Sequence, residues 1–250
     1  MVTISRNESI LATLALGFVL GLKHATEADH IAAVSTIVSE RRSIFQSASV
    51  GVLWGIGHTL SLLVAGLFVI AFGVAIPERA ANVLELMVAV MIVFLGTRLL
   101  YVVLRARQSV HIHEHTHDGK SHVHLHFHDD HHVHDVSMTH SDMHNGLSGW
   151  RPMLVGVVHG LAGSAALTLL VLSEVVRNGT AVLGFAYLFV FGVGSIGGML
   201  LMSSLIGLPI ALGVRFFQHI LLPMRVLAGL LSTTFGIFYG FKIVEKLALF

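Results

Sequence analysis

The chain has 250 residues, 54% of them hydrophobic and 12% charged, with a mean hydropathy of +0.81. A soluble globular domain carries about 25% charged residues, so half that share among long apolar stretches points to an integral membrane protein. A net charge of +1 without a basic stripe leaves no footprint for nucleic acid, and the absence of cysteine removes disulfides and thiolate ligands, leaving His, Asp, Glu, Met and backbone oxygens to hold a metal.

Predominantly apolar runs of about 20 residues, the length that crosses a bilayer, lie near 9–38, 46–75, 82–104, 152–176, 181–207 and 225–248. They predict an all-α polytopic protein with six transmembrane helices, set in the lipid of the cell membrane. Arg6 followed by "ILATLALGFVLGL" mimics a secretory signal, but the apolar run leads into a polar cluster and further spans follow, so cleavage is not expected. That cluster interrupts the first span, which is therefore one broken helix or two short pieces. Pro77, Pro152, Pro209 and Pro223 fall at segment edges, where a helix tolerates proline best. The stretch "GLPIALGVRFFQHILLPM" at 207–224 is amphipathic and is expected along the membrane interface.

Lys and Arg divide unevenly between the two sides. Arg41, Arg42, Arg105, Arg107, Lys120, Arg151, Arg215 and Arg225 lie on one side, against Arg6, Arg79, Arg177, Lys242 and Lys246 on the other. The richer side is cytoplasmic by the positive-inside rule, which places both termini outside and the 105–151 loop inside. The chain divides into halves at 1–104 and 152–250, joined by 105–151. "GLKHATEADHIAA" aligns with "GVVHGLAGSAALT", matching Gly21 with Gly156 and His24 with His159. "WGIGHTLSLL" aligns with "FGVGSIGGML", matching Gly55 with Gly192 and Gly57 with Gly194. Three-span repeats enter the membrane in opposite senses, so these are expected to be inverted repeats, an architecture that holds substrate near the midplane between the repeats.

The interrupting stretch "GLKHATEADHIAAVST", 21–36, carries Lys23, His24, Glu27, Asp29 and His30. On a regular helix His24 shares a face with Glu27, and Glu27 with His30, while Asp29 points away. Either some of these groups meet lipid, which is costly, or the backbone opens here around a cavity. The alternative is a helix end in the headgroups with Lys23 paired to Glu27. The apolar "IAAVSTIV" that follows weighs against it. In the next span "GIGHTLS" places His58 and Thr59 beside two glycines that permit close approach. Neutral imidazoles with a carboxylate are the ligands nickel, cobalt or zinc favours. The candidate ligands are His24, Asp29, His30 and His58, with Glu27 and His159 as further candidates. Arg98 inside the third span needs a counter-ion, for which Glu85, Glu27 or a carboxylate across the interface is a candidate.

The loop at 111–144 holds thirteen His in 34 residues. His111, His113, His115, His117, His122, His124, His126, His128, His131, His132 and His134 form its densest part, with two Asp at "HDDHHVH". Such a tract reads as loose metal capture. It is too polar to pack a core, so it is expected to be disordered without metal. Binding needs neutral imidazole and weakens below a pH of about 6.5.

These residues carry a resemblance. His24, four residues, then Asp29-His30 resembles the His-x4-Asp-His signature of the nickel/cobalt transporter family, in a context, "KHATEADHI", similar to that family's "RHA-x-DADHI". "GHT" at 57–59 resembles its second block. The resemblance covers nearly the whole chain and implies that His24, Asp29, His30 and His58 are ion ligands. The chain departs from the eight-span members, reading "VVHGLAGSAALT" where they carry an acidic "LGFDTATE". It looks more like the shorter six-span branch associated with urease. The resemblance implies a secondary transporter of Ni2+, or Co2+, working in uptake, with nickel-enzyme maturation proteins as partners and the metal as substrate, not prosthetic group. A nickel/cobalt exporter is the alternative, because a His-rich loop also resembles the exporters. Two other classes are an intramembrane zinc hydrolase with Glu27 as base and a membrane metal store. The thirteen-His loop fits the hydrolase poorly, and a non-enzyme is expected.

Overall fold

The computed structural model describes residues 6–72, 77–108, 110–117, 120–127, 149–161, 176, 180–216 and 218–248. Among them run α1 (Arg6–His24), α2 (Ala28–Ser39), α3 (Ile44–Phe72), α4 (Glu78–Gln108), β1 (Val110–His117), β2 (Lys120–Phe127), α5 (Arg151–Gly160), α6 (Ala181–Phe216) and α7 (Gln218–Ala248). Helices α3, α4, α6 and α7 are long and apolar enough to cross a bilayer, and the pair α1–α2, bent by 55°, makes a fifth when the two halves count as one broken span. Large apolar side chains such as Phe45, Phe68, Phe94, Phe189 and Phe241 stand exposed on the outside of the bundle, as lipid-facing residues do and core residues of a water-soluble protein do not. Of the expected span 152–176, α5 covers the start, and most of the remainder lies outside the described residues.

The first span is broken where its sequence turns polar. After His24 the helical ladder tightens: Thr26 N–H donates to the Lys23 carbonyl at 2.9 Å and Glu27 N–H to the His24 carbonyl at 3.1 Å. The Thr26 hydroxyl also donates to the Lys23 carbonyl, at 2.6 Å. Glu27 is extended, with φ −67° and ψ 150°, and α2 restarts at Ala28. The carbonyl end of one half-helix and the N–H end of the next thus meet inside the membrane span.

Helix α2 lies at the centre of the core. Ala33, Val34 and Val38 are buried with Val50 and Trp54 of α3, Val88 and Ile92 of α4, and Met199 and Ile210 of α6. Hydroxyl and guanidinium groups secure it. The Ser232 hydroxyl donates to the Ala32 carbonyl at 2.6 Å, and Arg225 Nε donates to the Ser39 carbonyl at 2.9 Å. Arg98 pairs with Glu40 at 2.6 Å. Of the counter-ions expected from sequence, the partner is thus a carboxylate across the helix interface, not Glu85 or Glu27. A long Arg stem snorkels towards the wet end of its helix, and there it meets the residue just past α2.

Glycines set the helix separations. Gly21 of α1 lies against the Phe191 carbonyl of α6, and Gly194 of α6 against the Phe18 carbonyl of α1. At the seam of α3 and α5, Gly57 lies against the Met153 carbonyl and Gly156 against the Trp54 carbonyl. Such small-residue seams let membrane helices gain van der Waals contact where no hydrophobic force drives them together.

Three sequence expectations change. Pro209 and Pro223 lie inside α6 and α7, not at segment edges; membrane helices accept proline where neighbouring groups satisfy the freed carbonyl. Among the described residues, the stretch 207–224 is the end of α6 and the start of α7, with no separate interfacial helix. The His-rich tract, expected to be disordered, forms an antiparallel hairpin over its described part, with His111, His113 and His115 opposite His126, His124 and His122. Its strict alternation of His with Ile, Thr, Val and Leu is the period of a strand. That periodicity outweighs the polarity on which the disorder expectation rested. His128, His131, His132 and His134 lie outside the described residues.

Because no methyl group fits at these seams, Gly57→Leu should destabilise the fold by about 1–3 kcal/mol, the usual cost of overpacking. Thermal unfolding of the detergent-purified protein checks this, and an unchanged midpoint would contradict the seam.

Candidate metal centre

The break between α1 and α2 brings His24, Asp29 and His30 together because it cancels the helical twist that separates them in sequence. His58 comes from the middle of α3 and His159 from the last turn of α5. The four imidazoles are 5%, 2%, 0% and 1% exposed for His24, His30, His58 and His159, so the site is sealed from bulk water on the imidazole side. Asp29, 16% exposed, and Glu27, 42% exposed, line its open edge.

Hydrogen bonds assign the ring protons. Asp29 sits in the first turn of α2, where the helix dipole favours an anion. Its Oδ1 accepts from the His30 backbone N–H at 2.9 Å and from His30 Nδ1 at 3.0 Å, and its Oδ2 accepts from His159 Nε2 at 3.0 Å. A carboxylate only accepts, so both rings carry their proton on the nitrogen facing it. His30 Nε2 and His159 Nδ1 are then lone pairs, buried and without a protein partner. His24 Nδ1 faces Glu27 at 3.1 Å, and His24 Nε2 lies 3.1 Å from His58 Nε2. With His24 donating to Glu27, His58 Nε2 donates to His24 and His58 Nδ1 is a third bare, buried lone pair.

Unsatisfied lone pairs in a dry interior are costly, and carboxylates fixing the opposite ring nitrogen are what metal-binding histidines use for orientation and basicity. Two nitrogens bound about 2.1 Å from one ion lie roughly 3.0–3.4 Å apart, depending on coordination geometry. The 3.1 Å between His24 Nε2 and His58 Nε2 matches that spacing, so an ion that replaces the proton between them fits with little movement. Two sets of ligand atoms lie within 4.8 Å of one another: His24, His30 and His58, and Asp29, His30 and His159.

Of the residues singled out in sequence, His24, Asp29, His30, His58 and His159 therefore converge. Glu27 belongs to neither set and touches the group through His24. Sequence reasoning passed over Trp54, whose ring stacks on His30 at 6.0 Å and 14°. It also passed over Gly160, where a Cβ would meet the His58 carbonyl at 2.5 Å. Both were visible only as apolar or small residues beside a His, which most membrane helices contain.

The profile of a family described as high-affinity nickel-transport protein, NicO, matches residues 10–241. The chain belongs to the NicO family. Among its relatives, the urease accessory protein UreH of Bacillus sp. strain TB-90 is 37% identical over 94% of this chain and 92% of its own length. The hydrogenase nickel incorporation protein HupN of Bradyrhizobium diazoefficiens is 39% identical over 26% of this chain and 17% of its own. No solved structure matches the chain. As a NicO protein with these membrane helices, it is a multi-pass membrane protein whose metal is substrate.

Asp29→Asn puts an amide donor against an imidazole donor. Nickel affinity of the purified protein should fall about 10- to 100-fold, the range for lost ligand-orienting partners. Equilibrium nickel titration checks this, and an unchanged dissociation constant would contradict the geometry.

Proposed function

We propose that this NicO chain takes up Ni2+, and also Co2+, as a gradient-driven secondary transporter in which His24, Asp29, His30, His58 and His159 bind the ion in turn at mid-membrane. The observation that carries this reading is the set of three bare, buried imidazole lone pairs at a helix break, two of them on rings held by the Asp29 carboxylate. Intramembrane ionisable groups mark transport paths, and discontinuous helices hold ions in secondary transporters. Glu27, at the exposed edge, guides the cation towards His24 as a carboxylate at the mouth.

The halves at 1–104 and 152–250 act as inverted repeats that rock about the site. The glycine seams support this. Matching Gly21 with Gly156 and Gly57 with Gly194 turns the contact of Gly21 with Phe191 into that of Gly156 with Trp54. It likewise turns the contact of Gly57 with Met153 into that of Gly194 with Phe18. Such exchanged contacts are what a pseudo-two-fold axis produces. The His-rich tract faces the cytoplasm, where the His pairs of its hairpin and His128, His131, His132 and His134 collect the released ion. The names of the two relatives, urease accessory and hydrogenase nickel incorporation, support delivery to nickel-enzyme maturation proteins.

Nickel flux into proteoliposomes tests the reading. Ala at His24, Asp29 or His30 should cut flux at least tenfold, and unchanged flux would remove the site from the path. Deleting 111–144 should preserve flux while raising the half-saturating nickel concentration; abolished flux would make the tract part of the pathway. Cells carrying the gene should accumulate nickel, and depletion instead would establish export.

A further inference from the structure

Resting on the transport reading, we infer that the ion occupies two successive positions that share His30: one formed by His24, His30 and His58, the other by Asp29, His30 and His159. A single ion bound at about 2.1 Å holds all its ligand atoms within about 4.2 Å of one another, so a group within 4.8 Å has only to draw in slightly around it. The five side chains do not form one such group. They fall into two trios, each within 4.8 Å internally, and only His30 belongs to both. The imidazole rings run as a chain, His24 to His30 at 4.5 Å between centroids and His30 to His159 at 4.0 Å. His30 also has a nitrogen for each side: Nε2 is open, and Nδ1, on Asp29, becomes a ligand once the proton of His30, like that of His159, moves to the ring's other nitrogen.

The positions differ in chemistry and in what holds them. The first is three imidazoles, all from residues 1–72. The second adds the charge of Asp29 and draws His159 from the other side of the α3–α5 seam. Asp29 therefore has two roles. With the ion in the first position it orients His30 from behind, and with the ion in the second it becomes a ligand. Rocking of α5 against α3 leaves the first position whole and opens or closes the second, which makes His159 the ligand that commits the ion to the far side. A shared ligand lets the ion pass without ever being bare in a low-dielectric interior, where a naked charge is prohibitively costly.

The test uses the full chain with His24→Asn and His159→Asn, each checked for a monodisperse gel-filtration peak and loaded with nickel for X-ray absorption. With two positions, both variants still bind one nickel. His159→Asn shows a shell of three imidazoles, and His24→Asn shows two imidazoles with a carboxylate. Proteoliposome flux falls at least tenfold in each, and the double variant loses binding altogether. If either single variant abolishes binding, if both show the same shell, or if His159→Asn transports like wild type, the two-position path is overturned. Those results leave the transport reading standing, whereas absence of nickel flux in the wild-type protein overturns that reading without bearing on the two coordination shells.

Discussion

A carboxylate held between two imidazoles organises this molecule. Asp29 lies inside a membrane span, where an ionised group survives only with several donors around it. It has three: the His30 backbone N–H, His30 Nδ1 and His159 Nε2. Supplying them requires the helix to stop before Ala28 and restart, so that Asp29 takes the N-terminal turn of α2. It also requires α5 to approach closely enough for His159 to reach. The break, the bend of 55° and the glycine-lined approach of α3 and α5 all serve the same small volume.

What that volume offers is directional. Because Asp29 and Glu27 accept from the ring N–H facing them and His24 in turn accepts from His58, the unprotonated nitrogens of His30, His58 and His159 are left without protein partners. Soluble cores avoid such an arrangement. In a transporter it is the state that an arriving cation completes, and the cation costs less to desolvate where replacement ligands are already turned towards it. The packing below the site holds this geometry still. Helix α2 is tied at its far end by Arg225 and, through Glu40, by Arg98, so the break cannot relax into a continuous helix without undoing those contacts.

The sequence made the site legible because its chemistry is local. His24, Asp29 and His30 interrupt an apolar run, and that conflict already demands an open backbone. His58 could be placed beside them from its depth in the next span, and His159 from its match to His24. Glu27 was less legible: helical periodicity puts it on a face with His24 and His30, and only the turn at 25–27 moves it to the edge. The counter-ion of Arg98 could be named from sequence only as a carboxylate across the interface, for a similar reason. Arg98 and Glu40 are 58 positions apart, and nothing in their local sequence joins them. The hairpin in the His-rich tract was written in its alternation, but composition pointed the other way. Proline inside α6 and α7 was misread by a rule drawn from helices in water.

The account rests on a metal centre within the membrane that is independent of the His-rich tract. The most direct measurement is the nickel X-ray absorption spectrum of the full-length fold lacking only residues 111–144, purified in detergent. The account predicts that one nickel per chain remains, with an imidazole-dominated nitrogen and oxygen shell that is lost in the same protein carrying His30→Ala. A loop-deleted protein that retains no nickel, or whose shell is untouched by His30→Ala, would contradict it.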